Sequence, residues 1–210
     1  TLLNMMTGLQ RPTKGAITFK GQDIYTFTPD ELARFRASRI GIVYQQNYWV
    51  QSLNVLENVA MPLYFLGYSK SLAAEMAMIA LERIDMQSYA KKSPTVLSGG
   101  EQQRVAVARA IVNDPMFIIA DEPTGSLDTK NGDKIMNLLR KSYSESLRTI
   151  ILVTHNMEYL PLADNLLHIQ DGEVQNPDSA SIKATTDEMI SNMRARLDEF
   201  SKSKAEKAKT

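Results

Sequence analysis

The chain has 210 residues, enough for one sizeable domain with its own core. Lysine plus arginine equals aspartate plus glutamate at 24 each, so the overall balance does not point to a nucleic-acid partner. Cysteine is absent, which excludes disulfide frameworks and thiolate metal sites, and no apolar run reaches the roughly 18 residues that span a bilayer, so a membrane role would come through a partner.

Taken in order, Thr1 to Thr7 reads as part of a helix closed by Gly8 and then by Pro12. Ala16 to Lys20 alternates as a short strand, and Gly21-Gln22-Asp23 turns it back toward Ile24. Thr28, Pro29 and Glu31 stand at cap, N1 and N3 of a helix that covers Leu32 and Phe35 and runs to about Ser38. Ile40 to Tyr44 is a buried strand ending at Gln45. From Asn54 to about Lys91 the apolar spacing is helical, through Val55, Val59, Leu63 and Leu66 and then Ala73 to Ile84, with Gly67 and Ser69 between the two helices. Tyr48, Trp49 and Val50 follow Gln45 closely. Trp49 either faces a partner or packs under these helices.

Ser98-Gly99-Gly100-Glu101 opens a further helix with capping-box spacing. Its start presents a hydroxyl and unhindered backbone amides at the positive end, which suits an anion such as phosphate. Its core face carries Val105, Ala108 and Ile111 or Val112, and Asn113-Asp114-Pro115 ends it. Arg104 and Arg109 could meet phosphate or carboxylate, although solvated helix charges are the commoner case. Phe117 to Ala120 is a short apolar run that delivers Asp121 and Glu122 to a sheet edge, and adjacent strand residues point to opposite faces, so the two carboxylates suit different roles.

Thr129 to Ser146 reads as a helix with Ile135, Leu138 and Leu139 inward, and Thr149 to Thr154 as a second buried strand. Strand, helix and strand in that order imply a right-handed parallel crossover. His155 lies just past a strand end, where open α/β sheets place ligand groups. Gln170-Asp171-Gly172 is a hairpin signal, and His168 beside it reads as structural. Beyond Ser179, Met189, Met193, Leu197 and Phe200 form a helical stripe expected to pack on the chain's own surface, with a partner or membrane-surface contact as the alternative. A Ser/Lys/Ala/Glu-rich end, expected to be disordered, follows it.

Leu97-Ser98-Gly99-Gly100-Glu101, then an apolar strand ending in Asp121-Glu122, then Ser126-Leu127-Asp128 and His155, together resemble the ATP-binding-cassette (ABC) ATPases, the nucleotide-hydrolysing subunits of ABC transporters. There the first run is the family signature and the second the Walker B strand. The resemblance covers roughly Thr1 to Val174. Its motifs look most like the macrolide-export and lipoprotein-release branch, with the division-associated cassette a near neighbour. It implies an α/β fold: a P-loop NTPase (RecA-like) core with a mostly parallel sheet, a small antiparallel β portion and an inserted all-helical subdomain at about 50–110. It further implies an ATPase domain over 1–178, with 179–210 as an amphipathic helix and tail.

In that family a Thr-Leu-Leu-Asn run directly follows the phosphate loop Gly-x-x-x-x-Gly-Lys-Ser/Thr, so Thr1 would stand just after it as a nucleotide-binding residue. The resemblance therefore implies an N-terminal truncation, with the phosphate loop and the strands before it missing and weak activity of this fragment alone. The cofactors implied are ATP and Mg²⁺. Asp121 and Gln45 would hold the metal, Glu122 would orient or deprotonate the attacking water, and His155 would contact the γ-phosphate. Ser98, Gly99, Gly100, Glu101 and Gln102 would meet the nucleotide bound to a second subunit, most simply in a homodimer, and Asp128 would signal across that interface. Gln45 standing alone would be an ordinary polar loop residue; the motifs around it favour the functional role.

The implied partners are a transmembrane permease and a second ATPase subunit, not nucleic acid. The implied location is cytoplasmic, peripheral on the inner face of the plasma membrane through the permease. Two other readings are a cassette ATPase working on DNA or ribosomes, which lacks support from any long coiled-coil insertion or second cassette, and an inactive fragment.

Overall fold

A computed structural model of the chain describes residues 1–146, 148–175 and 191. The helical stripe from Met189 to Phe200 and the tail beyond it fall outside the described residues. The chain divides into two compact units, Thr1–Thr154 and a second that begins at His155.

The first unit opens with α1 (Leu2–Met6), capped at Thr7 and stopped by Gly8 at φ 70°. A small antiparallel hairpin follows, β1 (Thr18–Phe19) and β2 (Gln22–Asp23). Its turn is tighter than the sequence suggests. Lys20 and Gly21 take the left-handed bend, so Gln22 and Asp23 already belong to the returning strand rather than to the turn. Phe19 fixes this hairpin against the rest by a tilted ring contact with Phe35 and an edge-on one with Phe117.

Helix α2 (Pro29–Arg39) has the expected start: Thr28 caps it and Glu31 bonds back to the Thr28 N–H, satisfying donors that the first turn leaves orphaned. It leads into β3 (Ile40–Val43). β3, β4 (Phe117–Asp121) and β5 (Thr149–Val153) form a parallel sheet in the order β3-β4-β5. The register pairs Val43 with Ala120 and Asp121 with Val153, so the strands end together and their following loops share one edge. The central strand β4 is the best covered, with Ile118, Ile119 and Ala120 at or near zero exposure. A run without polar alternation is what a strand flanked on both faces requires.

Between β3 and β4 lie α3 (Val55–Phe65), α4 (Lys70–Glu82) and α5 (Gly99–Ile111). Val55, Val59 and Leu63 of α3 meet Ala73, Ala77 and Leu81 of α4 and Val105 and Ala108 of α5 in one apolar cluster. Each fully buried Val or Leu there contributes about 1.5–3 kcal/mol of transfer free energy. α5 also lies directly on β3. A Cβ on Gly41 would stand 1.9 Å from the Ala110 carbonyl oxygen, so only glycine permits this approach. The helix α6 (Thr129–Ser146) makes the crossover from β4 to β5, with Ile135 and Leu139 buried.

The second unit, taken by itself, carries a short helical turn over Met157–Leu162 and the hairpin β6 (His168–Gln170) and β7 (Glu173–Gln175). Asp171 and Gly172 both have positive φ, as a two-residue hairpin turn needs. His168 is an exposed strand residue.

Candidate functional site

The common edge of the parallel sheet gathers the first group of candidate residues. Asp121 ends β4, half-buried and paired in register with Val153. Glu122 does not continue the strand. Its φ is 47°, a left-handed conformation that few non-glycine residues adopt, while its N–H still donates to the Val153 carbonyl at 2.8 Å. Strand alternation therefore does not separate the two carboxylates; the left-handed bend at Glu122 does. Strain of this kind persists only where surrounding structure enforces it. Here the Gly125 N–H closes the turn on the Glu122 carbonyl at 3.1 Å, and the Thr154 hydroxyl donates to Glu122 Oε2 at 3.4 Å.

Gln45, which follows β3 and is exposed, reaches this same turn. Its Nε2 lies 3.2 Å from the place a Cβ on Gly125 would occupy. Gly125 has no left-handed φ to justify it, so the requirement is room for the Gln45 amide. The structure thus brings together Gln45, Asp121 and Glu122.

A second locus is the start of α5. Ser98 and Gly99 are exposed, and Glu101 Oε2 accepts from both the Ser98 N–H (2.8 Å) and the Ser98 hydroxyl (2.7 Å). Those bonds, helped by one from the Tyr89 hydroxyl, hold the Glu101 carboxyl down at about 2. Glu101 is thereby a structural anion that fixes the Ser98 turn. Asp128 caps α6, accepting from the Asn131 N–H at 2.9 Å and its side-chain amide at 2.8 Å, and these bonds lower its pKa. A Cβ on Gly100 would meet Asn131 at 3.1–3.3 Å, and one on Gly99 would touch Leu127 at 3.8 Å. The Ser98 turn of α5 and the Asp128 turn are therefore neighbours within one chain.

Sequence reasoning missed what holds the segment after Gln45. Gln103, almost fully buried, donates to the Tyr44 carbonyl at 3.1 Å. Arg109 donates to the Asn47 carbonyl at 2.6 Å and the Tyr48 carbonyl at 3.4 Å, and lies 4.5 Å from the centre of the Trp49 ring. It is not a solvated helix charge, and among the described residues no carboxylate pairs with it: burial lowers its pKa to about 10, which leaves it charged at neutral pH. Arg104 rests its guanidinium on the Met86 sulfur at 3.4 Å. Trp49 packs on the helical cluster and donates from Nε1 to Gln102 Oε1 at 2.8 Å, while Tyr48 and Val50 stay exposed. Gln102 also donates to the Leu97 carbonyl at 3.0 Å, so both ends of its amide are engaged within the chain.

Asn58, wholly buried, accepts from the Val50 N–H and donates to the carbonyls of Val50, Leu53 and Asn54. An asparagine inside an apolar helical repeat, eight residues after an irregular stretch, is the one sequence signal that could have flagged this loop anchor.

Thr1 stands exposed at the start of α1, and His155 follows directly on Thr154 at the end of β5. Among the described residues no group of three or more His, Cys, Asp or Glu side chains could enclose a metal ion. Mg²⁺ needs no such cage, because one or two hard oxygen donors suffice when phosphate and water complete the shell. The Asp121 carboxylate and the Gln45 amide are donors of that type. Beside the Gln45 segment a cavity of about 700 Å³ has Tyr44, Tyr48 and Phe65 in its lining, together with the charged Asp30, Arg34 and Arg36. Tyr48 and Phe65 are 68 % and 73 % exposed, a large apolar surface for a loop and a helix end. No helix among the described residues is long and apolar enough to cross a membrane.

A family model described as ABC transporter matches residues 1–125. An uncharacterised ABC transporter ATP-binding protein of Thermotoga maritima is 40 % identical over 175 residues, covering 83 % of this chain and 74 % of that protein. The lipoprotein-releasing system ATP-binding protein LolD of Shewanella oneidensis is 37 % identical over 180 residues, covering 86 % and 78 %. Among solved structures, the dimeric post-hydrolysis state of the ATP-binding cassette MJ0796 bound to ADP and Pi aligns with a TM-score of 0.75 at 36 % identity, over 83 % of this chain and 77 % of that one. MJ0796 is a protein of Methanocaldococcus jannaschii.

Proposed function

The chain belongs to the ABC transporter family of ATP-binding, ATP-hydrolysing subunits, and on that premise we propose how its residues divide the work. Bound Mg²⁺ would supply charge neutralisation on the phosphates. Asp121 and the Gln45 amide oxygen would hold it. Glu122, turned out of the sheet by its left-handed backbone, orients or deprotonates the attacking water. Thr154 steadies the Glu122 carboxylate, His155 contacts the γ-phosphate, and Thr1 lies against the phosphates from the start of α1.

The Ser98-Gly99-Gly100 turn, with Glu101 and Gln102 behind it, serves the nucleotide of a second copy, so that two subunits enclose ATP between them. Exposure of Ser98 and Gly99 supports this, since amides aimed outward from a helix start attract phosphate across an interface. Asp128, next to that turn, reports the state of the interface. The similarity to LolD, of a lipoprotein-releasing system, and to the dimeric cassette MJ0796 favours a homodimer in an export-type system.

The partner is a permease, seated through a short amphipathic helix in the cavity beside Tyr48 and Phe65, whose apolar surface takes the apolar face of that helix while Asp30, Arg34 and Arg36 meet its polar side. The subunit accordingly works at the cytoplasmic face of the membrane. The ATPase domain is taken as 1–178, with residues from about 50 to 110 as the helical subdomain.

The observation that carries this reading is the convergence of Gln45 on the Glu122–Gly125 turn. The test is Glu122→Gln in the full-length protein with its permease. Turnover should fall by roughly 10²–10⁴, the range of a lost general base, while ATP-bound dimers accumulate in size-exclusion chromatography. Wild-type turnover in that variant would remove Glu122 from its role.

A further inference from the structure

Helix α5 bears on both loci, and one side chain outside it connects them. Trp49 stands four residues after Gln45, and its indole N–H donates to Gln102 at 2.8 Å. Gln102 passes the connection on, because its Nε2 donates to the carbonyl of Leu97, the residue directly before Ser98. Gln102 and Arg109 are seven residues apart, two turns of helix, and so share a face. The indole lies between them, its edge on the amide and its ring 4.5 Å from the guanidinium carbon.

Arg109 is an expensive residue for mere packing. Its hydrogen-bond partners are the Asn47 and Tyr48 carbonyls, and among the described residues no carboxylate neutralises it. A buried cation held only by dipoles and a ring face is seldom more stable than an apolar side chain of similar size. What it achieves is geometric: the planar fork pins two successive carbonyls of the segment after Gln45 while its face fixes the indole. Gln103 pins the carbonyl of Tyr44 on the other side of Gln45.

We infer that Trp49 is a positioning residue, a latch that ties the Gln45 segment to the Ser98 turn so that displacing one displaces the other. The inference rests on the roles proposed above for Gln45 and Ser98. A permease helix pressing on Tyr48, the residue before Trp49, would then be felt through Gln102 and Leu97 at the phosphate-facing turn. The same path run backward lets ATP captured at Ser98 tighten the Gln45 segment. Reciprocity follows from linkage.

The experiment uses Trp49→Phe, which keeps a ring and loses the N–H, and Arg109→Lys, which keeps the charge and loses the fork. Both are made in the full-length protein assembled with its permease. Measured are kcat and KM for MgATP, the thermal midpoint, and the Trp49 emission with and without MgATP, with Trp49→Phe as the blank. Trp49 is the single tryptophan of the 210 residues.

Expected are a fall in kcat of roughly tenfold in each variant, a smaller change in KM, and a midpoint close to wild type, since a displaced positioning group acts on the reacting geometry. The double variant should be no slower than the slower single one. MgATP should shift the Trp49 emission in the wild type and shift it less in Arg109→Lys. Wild-type kcat in both variants, an emission blind to MgATP, or losses of kcat that merely follow a lowered midpoint would each overturn the latch. Gln45→Glu separates the two readings: wild-type turnover there refutes a catalytic Gln45, whereas the latch still stands or falls on the emission response.

Discussion

The side-chain amide of Gln45 occupies the space that Gly125 leaves open, with Nε2 3.2 Å from where a Cβ would be. Two loops that leave neighbouring regions of one sheet are thereby interlocked, and the glycine is the receiving half of the contact. Gly125→Ala should displace Gln45 by a few tenths of an ångström without straining the backbone. Turnover is expected to fall about tenfold while the thermal midpoint holds, because catalysis is more sensitive to such shifts than folding is. A steady-state assay beside a melting curve checks it, and unchanged turnover would mean that the Gln45 position does not matter.

Gly41 presents the opposite case. A Cβ there would sit 1.9 Å from the Ala110 carbonyl oxygen, which is backbone and cannot swing aside. Gly41→Ala should therefore cost more than about 3 kcal/mol, the upper range of overpacking, or prevent folding altogether. Urea denaturation, or failure to recover protein where Gly125→Ala expresses normally, is the readout.

Asn58 carries the loop between Gln45 and α3. Replacing it with leucine leaves the Val50 N–H and the carbonyls of Val50, Leu53 and Asn54 without the amide they meet. With unsatisfied buried groups costing about 1–3 kcal/mol each and partial relief by water, a destabilisation of about 3 kcal/mol is expected. Chemical denaturation measures it. A loss well under 1 kcal/mol would show that the loop finds other partners.

Acid should act on the start of α5. The Ser98 hydroxyl and N–H, with Tyr89, hold the folded-state Glu101 carboxyl at about 2, below its usual 4.5. A depressed carboxylate contributes stability that is complete above the unfolded value and is lost as pH falls through the folded one. Glu101→Gln keeps a side-chain oxygen for the cap but cannot titrate. The wild-type advantage over this variant should be constant above about pH 5 and shrink toward pH 2, as read from melting curves of both proteins. A pH-independent difference would show that the Glu101 charge contributes nothing through this cap.

Much of this molecule is legible in local sequence, for reasons that are themselves local. Thr28-Pro29-Asp30-Glu31 and Ser98 with Glu101 announce helix starts because the partners lie within one turn of each other. The acidic end of β4 shows as an apolar run stopped by carboxylates, and the family is carried by the short runs around Ser98 and Asp121. Periodicity marks the α3 and α4 segments for the same reason: burial repeats with the helix. The turn at Lys20-Gly21 came out shorter than its composition suggests, since Gln22 is polar yet perfectly able to pair in an exposed hairpin.

What only the tertiary structure decided depends on residues far apart in sequence. Whether Arg109 was solvated or bound, and whether Trp49 faced outward or packed, turned on a helix placing residues 102 and 109 against a loop more than fifty positions earlier. The left-handed bend at Glu122 depends on hydrogen bonds to Val153 and Gly125, only one of which is close in sequence. Side-chain types list what a residue can bond; which partner it takes is settled when packing brings distant segments within reach.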